Sequence, residues 1–329
     1  MTAMTSSLFT RAAGALIAAA AFTAPAQAAD AWKPNKPVRL LVGFAPGGSA
    51  DTLARLLADP LGKRLGTQVI VENLAGAGGN IMAYRLTQAQ PDGYTIAIAA
   101  AGSLAITFAI NPSTNYKPTD FTPITMAATQ PNVVIVNNDV RATNIAELTD
   151  YIKATPAATY GTAGVGISNH LIAETMLHRM GVKMEHAAYR GAAPVITDLL
   201  GGHIAMTVDN ISTAAPLVKE NKVRAIGVTS MTRAPQLPDV PTLNELGLKG
   251  FDMPTWQGIF GPAKLPKDVV DAYYAAMQDV LKDSSTIEKM ATLGSQPVTG
   301  VTPAEFDSFL ANDRKQWADT AKAANISLQ

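Results

Sequence analysis

The chain has 329 residues, of which 47% are hydrophobic and 16% charged, with 26 Lys and Arg against 26 Asp and Glu and no cysteine. This composition excludes an intrinsically disordered chain, which needs low hydrophobicity and high charge, as well as a disulfide framework or a cysteine-ligated metal. The even charge balance argues against a nucleic-acid partner, because nucleic-acid binders normally carry a basic excess. The length predicts a globular protein of one large domain or two lobes.

The first 28 residues have the pattern of a secretory signal. A polar segment with one cation, Arg11, precedes a run of small apolar residues at 12–21, and Ala26-Gln27-Ala28 has the small-x-small pattern of a cleavage site. The apolar run is shorter than the roughly 20 residues that a membrane-spanning helix needs. We therefore predict residues 1–28 to be a cleaved signal peptide and the remaining chain to be exported.

Three strand–glycine turn–helix units follow the signal segment. In the first unit, leucines recur at helical spacing after an apolar strand. Ser49 is the expected N-cap of that helix, and Asp51 lies in its first turn, where a carboxylate suits the helix dipole. The repetition predicts a parallel, doubly wound sheet. The predicted strands are 38–44, 68–71 and 95–100, and the predicted helices begin near residues 49 and 76.

A connection at 111–123, rich in Pro, Thr and Asn, leads to a second series of strands and helices. A stretch punctuated by Pro235, Pro238, Pro241 and Pro254 follows, and helices complete the chain. Two α/β halves with proline-rich crossings predict two lobes on a hinge, with a ligand in the cleft between them. The predicted strands are 132–136, 159–161, 185–188, 204–209 and 225–229, and the predicted helices are 144–154, 168–180, 194–200, 267–281, 284–293 and 302–324.

The motifs of nucleotide-binding and catalytic sites are incomplete in this sequence. The glycines at 43–48 are spaced as in a phosphate-binding loop, but Ser49 stands where that motif needs lysine. The segment GISNH at 166–170 lacks the second glycine of a serine-hydrolase elbow. His170, Glu174 and His178 can share one helix face, but eight residues span about 12 Å, too far for one metal ion to touch both ends. We therefore predict no cofactor, no metal site and no catalytic residue.

Small-residue loops recur where a predicted strand ends and a helix begins. Glycine lets a backbone approach a ligand closely, and free N–H groups at helix starts attract anions. In a doubly wound sheet such loops gather at the carboxyl ends of the strands. Their recurrence favours binding of a small organic anion over catalysis. The loops are 45–51, 75–80, 101–103, 164–168 and 190–192.

Short motifs are spread along the chain after the signal segment. They are KPVR at 36–39, FAPGGSAD at 44–51, VEN at 71–73, GAGGN at 76–80, PDGYT at 91–95, HL at 170–171, YRG at 189–191, DLLGGH at 198–203 and PDVPT at 238–242. Together, and in this order, they resemble the Bug family, the periplasmic solute receptors of tripartite tricarboxylate transporters. The resemblance implies a periplasmic protein with a two-lobed α/β fold of the Venus-flytrap type, each lobe a mostly parallel sheet flanked by helices.

The resemblance also implies how the protein works. A carboxylate would be held between two loops, largely by backbone N–H groups and bridging waters, and a monomer would deliver it to integral membrane transporter subunits. Lobe 1 would comprise 29–131 and 252–329, and lobe 2 would comprise 132–251. The implied ligand-binding residues are Phe44, Ala45, Gly48, Ser49 and Asp51 in the first loop, Arg190, Gly191 and Ala192 in the second, and Ser103, Ser168 and Asp209 at the border of the cleft.

Two positions depart from the family pattern. Met82 replaces a small residue after the glycine-rich loop, and Gln257 follows Trp256 where an aromatic residue is usual. A Met82 side chain in the cleft would change the size of the ligand, whereas Trp256 is expected to pack in the core or the hinge.

Two other functions stay open from the sequence. One is an exported α/β hydrolase, in which Ser168 would be the nucleophile, and the other is a receptor that serves a sensor kinase instead of a transporter. The resemblance implies no particular acid, because receptors of this family use dicarboxylates, tricarboxylates, acidic amino acids, nicotinate and aromatic carboxylates.

Overall fold

The structure, a computed structural model, describes residues 32–323 and residue 326. The signal peptide predicted for residues 1–28 lies outside the described residues. The chain from Trp32 onward forms one compact unit. None of the described helices combines the length and the apolar character that crossing a membrane requires.

Strands and helices alternate along most of this unit. The strands are β1 (Val38–Val42), β2 (Val69–Asn73), β3 (Thr95–Ala100), β4 (Phe121–Gln130), β5 (Asn132–Val136), β6 (Thr159–Thr162), β7 (Glu185–Ala188), β8 (Met206–Asn210), β9 (Arg224–Val228), β10 (Thr255–Pro262) and β11 (Gln296–Pro297). The helices are α1 (Ser49–Leu65), α2 (Asn80–Thr87), α3 (Thr107–Ile110), α4 (Ile145–Ala154), α5 (Ser168–Met180), α6 (Ala192–Leu200), α7 (Ile211–Lys219), α8 (Lys267–Lys282), α9 (Ser284–Thr292) and α10 (Pro303–Ala323).

The strands form two sheets, in the spatial orders β11-β4-β10-β3-β1-β2 and β7-β6-β8-β5-β9. The pairs of β1 with β2 and β3, and of β6 with β7 and β8, are parallel. In contrast, β10 runs antiparallel to β3 and β4, β11 to β4, and β5 to β8 and β9. The prediction of two α/β halves is confirmed, but both sheets are mixed, not mostly parallel.

The antiparallel pairs arise where the chain passes from one sheet to the other. Only Pro131 separates β4 of the first sheet from β5 of the second, and the chain returns through residues 229–254 to β10. Since β10 enters the first sheet from the opposite end, it runs against its neighbours. These two crossings also place the ends of β4 and β10 at the boundary between the sheets.

Helix α1 shows why the sequence folds this way locally. Its apolar residues recur every three or four positions and are buried on one face. It begins after Gly48, which is its N-cap in place of the predicted Ser49, and it ends at Gly66, whose left-handed φ of 73° suits glycine. The buried leucines of this helix are Leu53, Leu57 and Leu61.

The core fills both faces of the first sheet. Val38, Leu40 and Val42 pack with α1 and α8, while Leu41, which points to the opposite face, packs in another apolar cluster with Met82 of α2. Met82 is only 2% exposed. It therefore belongs to the core and does not line the cavity described below, so the condition for its changing the size of the ligand is not met.

Candidate ligand-binding site

A cavity of about 70 Å³ lies where loops from the two sheets meet. By volume it has room for about five water molecules or a small organic molecule. Its walls come from the ends of β1, β3, β6 and β8, from the start of β10, and from the starts of three helices. Most of the predicted site residues line it, namely Phe44, Ala45, Gly48, Ser49, Ser103, Ser168, Ala192 and Asp209.

Three helices begin at the wall of this cavity: α1 at Ser49, α5 at Ser168 and α6 at Ala192. In none of them does the N-cap residue accept a side-chain hydrogen bond from the first turn. The N–H groups of a helix's first turn have no partner within the helix, and the dipole gives that end a partial positive charge. The cavity wall therefore offers backbone donors to an anion from both sides.

Glycines allow the loops of the two sheets to touch. A Cβ on Gly78, whose φ is 64°, would lie 3.0 Å from the carbonyl oxygen of Val165, and a Cβ on Gly164 would lie 3.5 Å from the Gly78 Cα. Near the start of α6, a Cβ on Gly191 would lie 3.4 Å from the Cβ of Ala45. The loops of the two sheets therefore lie in close contact beside the cavity.

Asp51 lies behind the first loop and not in the cavity wall. Its Oδ2 accepts from the Gly47 N–H at 2.9 Å, its Oδ1 accepts from Asn73 Nδ2 at 2.9 Å, and Arg55 pairs with it at 3.0 Å. Burial raises the pKa of Asp51, but the hydrogen bonds from Arg55, Gly47 and Asn73 outweigh burial and lower the pKa below its ordinary value. Asp51 is therefore an ionised carboxylate whose charge is paired with Arg55, and its hydrogen bond from the Gly47 N–H fixes the shape of the loop.

Arg190 and Gly191 lie beside the cavity. Together with Phe44 and Val165 they line an adjoining groove of about 350 Å³, and Arg190 is exposed. The structure thus places Arg190 outside the enclosed space that Ala192 helps to line. Solvent therefore screens its positive charge.

Strand β10 supplies wall residues that the sequence did not predict as binding residues. Gln257 Nε2 donates to Ser49 Oγ at 3.0 Å, and Thr255 Oγ1 donates to Asn210 Oδ1 at 3.2 Å. Gln130, at the end of β4, donates from Nε2 to both Ser49 Oγ and Asn210 Oδ1. A buried hydrogen-bond network therefore connects the strands at both crossings with cavity-wall residues of both sheets.

Trp256 packs in the core, as expected, and also lines the cavity. Its Nε1 donates to Asp313 Oδ2 at 2.8 Å. The β-branched and aromatic residues at 255–260 were a signal for this strand, but the neighbouring prolines obscured it. The antiparallel return of β10 puts this segment at the site, and that pairing is not visible in local sequence.

Asp209 is the sole ionisable side chain of the described cavity wall. It is 5% exposed, and its oxygens accept hydrogen bonds from Thr213 Oγ1 at 2.6 Å and from the Asn210 N–H at 2.8 Å. Burial raises the pKa of Asp209 to about 6, although these two hydrogen bonds oppose the increase. This carboxylate lies in a wall that also contains three helix N-termini, whose dipoles favour anions.

The histidines of α5 form no common site with Glu174. His170 stacks on His186 with ring centroids 4.1 Å apart, its Nδ1 accepts from the Gly166 N–H at 3.2 Å, and Glu174 accepts from Tyr160 instead. His178 is exposed. In the part of the chain that the structure describes, no group of three His, Asp or Glu side chains has the geometry to hold a metal ion.

The chain matches the family described as "Tripartite tricarboxylate transporter family receptor" over residues 53–326. The chain belongs to this family. Among sequence relatives of this receptor, the UPF0065 protein in the TAR-I ttuE-ttuC' intergenic region of Agrobacterium vitis is 36% identical over 286 residues, which cover 86% of this chain and 82% of that protein.

Solved structures of similar proteins have the same fold as this tripartite tricarboxylate receptor. The structure of the periplasmic binding protein BugD is 35% identical with a TM-score of 0.86, and the match covers 90% of this chain and 100% of BugD. The structure of R. palustris Rpa4515 with adipate is 31% identical with a TM-score of 0.86, covering 89% of this chain and 99% of that one. The resemblance to the Bug family and the two-lobed periplasmic binding protein fold are thereby confirmed.

Proposed function

We propose that the protein is a periplasmic receptor that captures a small organic carboxylate in the cavity between its two sheets and delivers it to the membrane subunits of a tripartite tricarboxylate transporter. The observation that carries this proposal is the meeting of three helix N-termini, each without a side-chain cap, at one cavity. These termini offer oriented N–H donors and dipoles to a carboxylate. The adipate that accompanies the similar R. palustris protein supports a carboxylate as the ligand.

The binding residues follow from the same geometry. In this proposal the backbone at Gly48 and Ser49 holds the carboxylate from the first lobe, and Ser168 and Ala192 hold it from the second. Phe44, Ala45, Gly191 and Ser103 shape the wall and the groove around it. Asp51 supports the first loop from behind, and Arg190 attracts the anion from the groove.

The two sheets would then belong to two lobes that close on the ligand. Lobe 1 would comprise 29–131 and 252–329, and lobe 2 would comprise 132–251, with the crossings as hinges. The strand content supports this division, because β5 to β9 form one sheet and the other strands form the second. The transporter, or a sensor kinase in its place, would recognise the closed pair of lobes.

Binding without turnover is part of the proposal. Ser168 Oγ donates to Asn169 Oδ1 at 3.4 Å, and the nearby His170 Nδ1 already accepts from the Gly166 N–H. Neither contact activates the serine, since activation needs a base that accepts the hydroxyl proton. Asp209 accepts from Thr213 and Asn210 and makes no hydrogen bond to a histidine of the described chain.

The test is a thermal-shift screen against organic acids, using protein freed of ligand by unfolding and refolding. A ligand at 100 times its dissociation constant stabilises the folded state by about 2.7 kcal/mol, which is readily measured. We expect one class of carboxylates to raise Tm and calorimetry to confirm a single site. The absence of any shift across dicarboxylates, tricarboxylates, amino acids and aromatic acids would contradict the proposal.

The same samples distinguish a receptor from a hydrolase. Proton NMR of the bound acid after long incubation should show the acid unchanged. Consumption of the acid, abolished in Ser168→Ala, would replace the receptor by the hydrolase. Uptake of the identified acid by cells with and without the gene then tests delivery to a transporter.

A further inference from the structure

We propose that Asp209 is a specificity-determining residue, and that it selects carboxylates that also carry a hydrogen-bond donor, a hydroxyl or an ammonium group, over carboxylates without one. The inference deepens the proposed function and rests on it, because it concerns the second functional group of the same ligand. The inference follows from two hydrogen-bond acceptors in the cavity wall, the Asp209 carboxylate and Gln257 Oε1.

The carboxylate of Asp209 has unused capacity to accept hydrogen bonds. An ionised carboxylate offers about four acceptor positions, and the structure gives its two oxygens one donor each, from Asn210 and Thr213. Asp209 lines the cavity and is 5% exposed, so bulk water does not fill the remaining acceptor positions. A hydrogen-bond donor on the ligand would fill one of them.

In the described part of the chain, no cationic side chain pairs with the Asp209 carboxylate. Residues 32–323 place no Lys, Arg or His in the cavity wall, and none of the ion pairs among them includes Asp209. A ligand carboxylate without a donor group would therefore meet a second buried negative charge, and like charges interact strongly where water is excluded. A hydroxyl or ammonium group between the two carboxylates converts this repulsion into a charge-assisted hydrogen bond.

Gln257 gives the wall a second acceptor. Its Nε2 donates to Ser49 Oγ, while its Oε1 is buried and has no hydrogen-bond partner among the described residues. Buried polar atoms in native proteins are nearly always paired. An unpaired acceptor in the wall, 5% exposed as a residue, fits a ligand that brings a donor of its own.

A structural role for Asp209 would have a different outcome. Asp209 precedes α7, and its bond to Thr213 ties the end of β8 to the first turn of that helix. If this were its whole purpose, replacing it would change the stability of the fold and weaken all ligands by a similar factor. It would leave the ratio of affinities for two matched ligands unchanged.

The experiment compares acids of equal chain length that differ in one substituent. The first set is succinate, L-malate and L-aspartate, the second is glutarate, 2-hydroxyglutarate and L-glutamate, and the third is adipate and 2-aminoadipate. Isothermal titration calorimetry on the refolded protein gives Kd for each. In the set that binds best, we expect the hydroxy or amino acid to bind at least about ten-fold more tightly than the unsubstituted acid.

Asp209→Asn identifies the residue responsible, and Asp239→Asn, which removes the same charge from an exposed position, is the matched control. We expect Asp209→Asn to reduce the ratio about ten-fold or more when the donor is ammonium, and less when it is hydroxyl, because a neutral amide still accepts a hydrogen bond. The control should keep the wild-type ratio.

Two results would overturn the inference. One is wild-type protein that binds the unsubstituted acid as tightly as its substituted partners, a measurement that needs no variant to fold. The other is a ratio unchanged in Asp209→Asn. In both cases carboxylates still bind and the proposed function stands, whereas binding of no acid in these sets and of none in the thermal-shift screen overturns the proposed function as well.

Discussion

Adjacent glycines in the first loop have different backbone requirements. Gly47 has a φ of 88°, in the left-handed region, and a Cβ built on it would have no atom within 4 Å. Gly48 has a φ of −81° and a ψ of 170°, which any residue adopts, and a Cβ on it would lie 3.8 Å from the Ala45 carbonyl oxygen. The backbone needs glycine only at position 47, whereas position 48 lines the cavity.

Gly48→Val should therefore abolish carboxylate binding without destabilising the fold, because its side chain occupies the place of the ligand and strains no backbone angle. Gly47→Val, the matched control, should lower the free energy of unfolding by about 1–2 kcal/mol, the usual penalty for a side chain in the left-handed region. Calorimetry with ligand and thermal unfolding without it separate the two effects. Normal binding by Gly48→Val would show that the first loop does not contact the ligand.

Arg190→Ala should have a weaker effect than Gly48→Val. Arg190 lies in the exposed groove and not in the cavity wall, so solvent screens its attraction for the anion. The substitution should therefore change the association rate more than the dissociation rate. We expect less than about a ten-fold loss of affinity at 0.15 M salt, and a smaller loss at 1 M salt. Stopped-flow binding is the measurement, with the exposed Arg141→Ala as control. A complete, salt-independent loss would make Arg190 the anchor.

The stacked histidine pair predicts an acid-sensitive fold. Burial lowers the pKa of His170 and of His186, and the neighbouring charge of His186 lowers that of His170 further. The unfolded chain, with histidine pKa values near 6.5, then binds protons that the folded chain does not, so stability is full above pH 6.5 and falls as the pH falls below it. The raised pKa values of Asp209 and Asp313, each about 6, act in the opposite direction between pH 6 and 3.8.

A substitution separates these opposing contributions. His170→Gln should reduce the slope of unfolding free energy against pH between 6.5 and 4, measured by urea unfolding at a series of pH values. His178→Gln, at an exposed position, is the control and should leave the slope as in the wild type. An identical slope in all three proteins would mean that the buried pair takes up protons in the folded state.

At the scale of elements, local patterns predicted the units in which a strand leads directly into a helix. Strands β3, β5 and β7 and helix α5 have the predicted bounds, because apolar runs and glycine turns close together in sequence define them. The prediction of a connection at 111–123 was wrong at its end, since β4 begins at Phe121. Pro123 favoured the prediction of a loop, because proline is rare inside strands. In the structure Pro123 pairs with Phe260 at an irregularity in the strand register, where proline is tolerated.

The sequence likewise predicted the part of the candidate site that is formed by residues close together in the chain. Loops that begin helices supplied the wall residues Ser49, Ser168 and Ala192. In contrast, the wall residues of β10, including Gln257, come from an antiparallel pairing between segments far apart in sequence. The placement of Asp51 behind the loop also depends on Arg55 and Asn73, and a single sequence does not show that these three residues meet.

The network at the crossings gives a prediction at this scale. Gln130 is 2% exposed and donates to Ser49 and Asn210, one beside each sheet, while its Oε1 accepts from Ser295 Oγ at 3.2 Å. Gln130→Ala should destabilise the protein by about 1–3 kcal/mol, because buried hydrogen bonds are lost and the buried Ser295 Oγ loses its acceptor, and it should speed ligand release. Ser295→Ala, which removes one bond of the network, should have the smaller effect on both. Unchanged release rates in Gln130→Ala would separate the network from ligand retention.

For the whole molecule, we expect the contacts between loops of the two sheets to belong to a closed state of the two proposed lobes, and small residues permit these contacts. Gly164 is the best position at which to test this contact. A Cβ built on it would lie 3.5 Å from the Cα and N of Gly78, which is an ordinary van der Waals distance. Alanine thus fits with the lobes closed, whereas a larger side chain meets the backbone of the opposite loop. Gly164 also has no left-handed φ, so its substitution tests contact between the loops without backbone strain.

Small-angle scattering with and without the identified acid tests closure in three proteins. The wild type and Gly164→Ala should both show a smaller radius of gyration with ligand, because hinge closure brings the lobes together. Gly164→Phe should keep the larger radius at the same ligand concentration and lose most of its affinity, since contacts from the second lobe are then missing. Circular dichroism and thermal unfolding should show that it is folded. A wild-type radius that is the same with and without ligand would mean that the lobes are closed before binding. A Gly164→Phe protein whose radius decreases like that of the wild type would show that the lobes close through another contact.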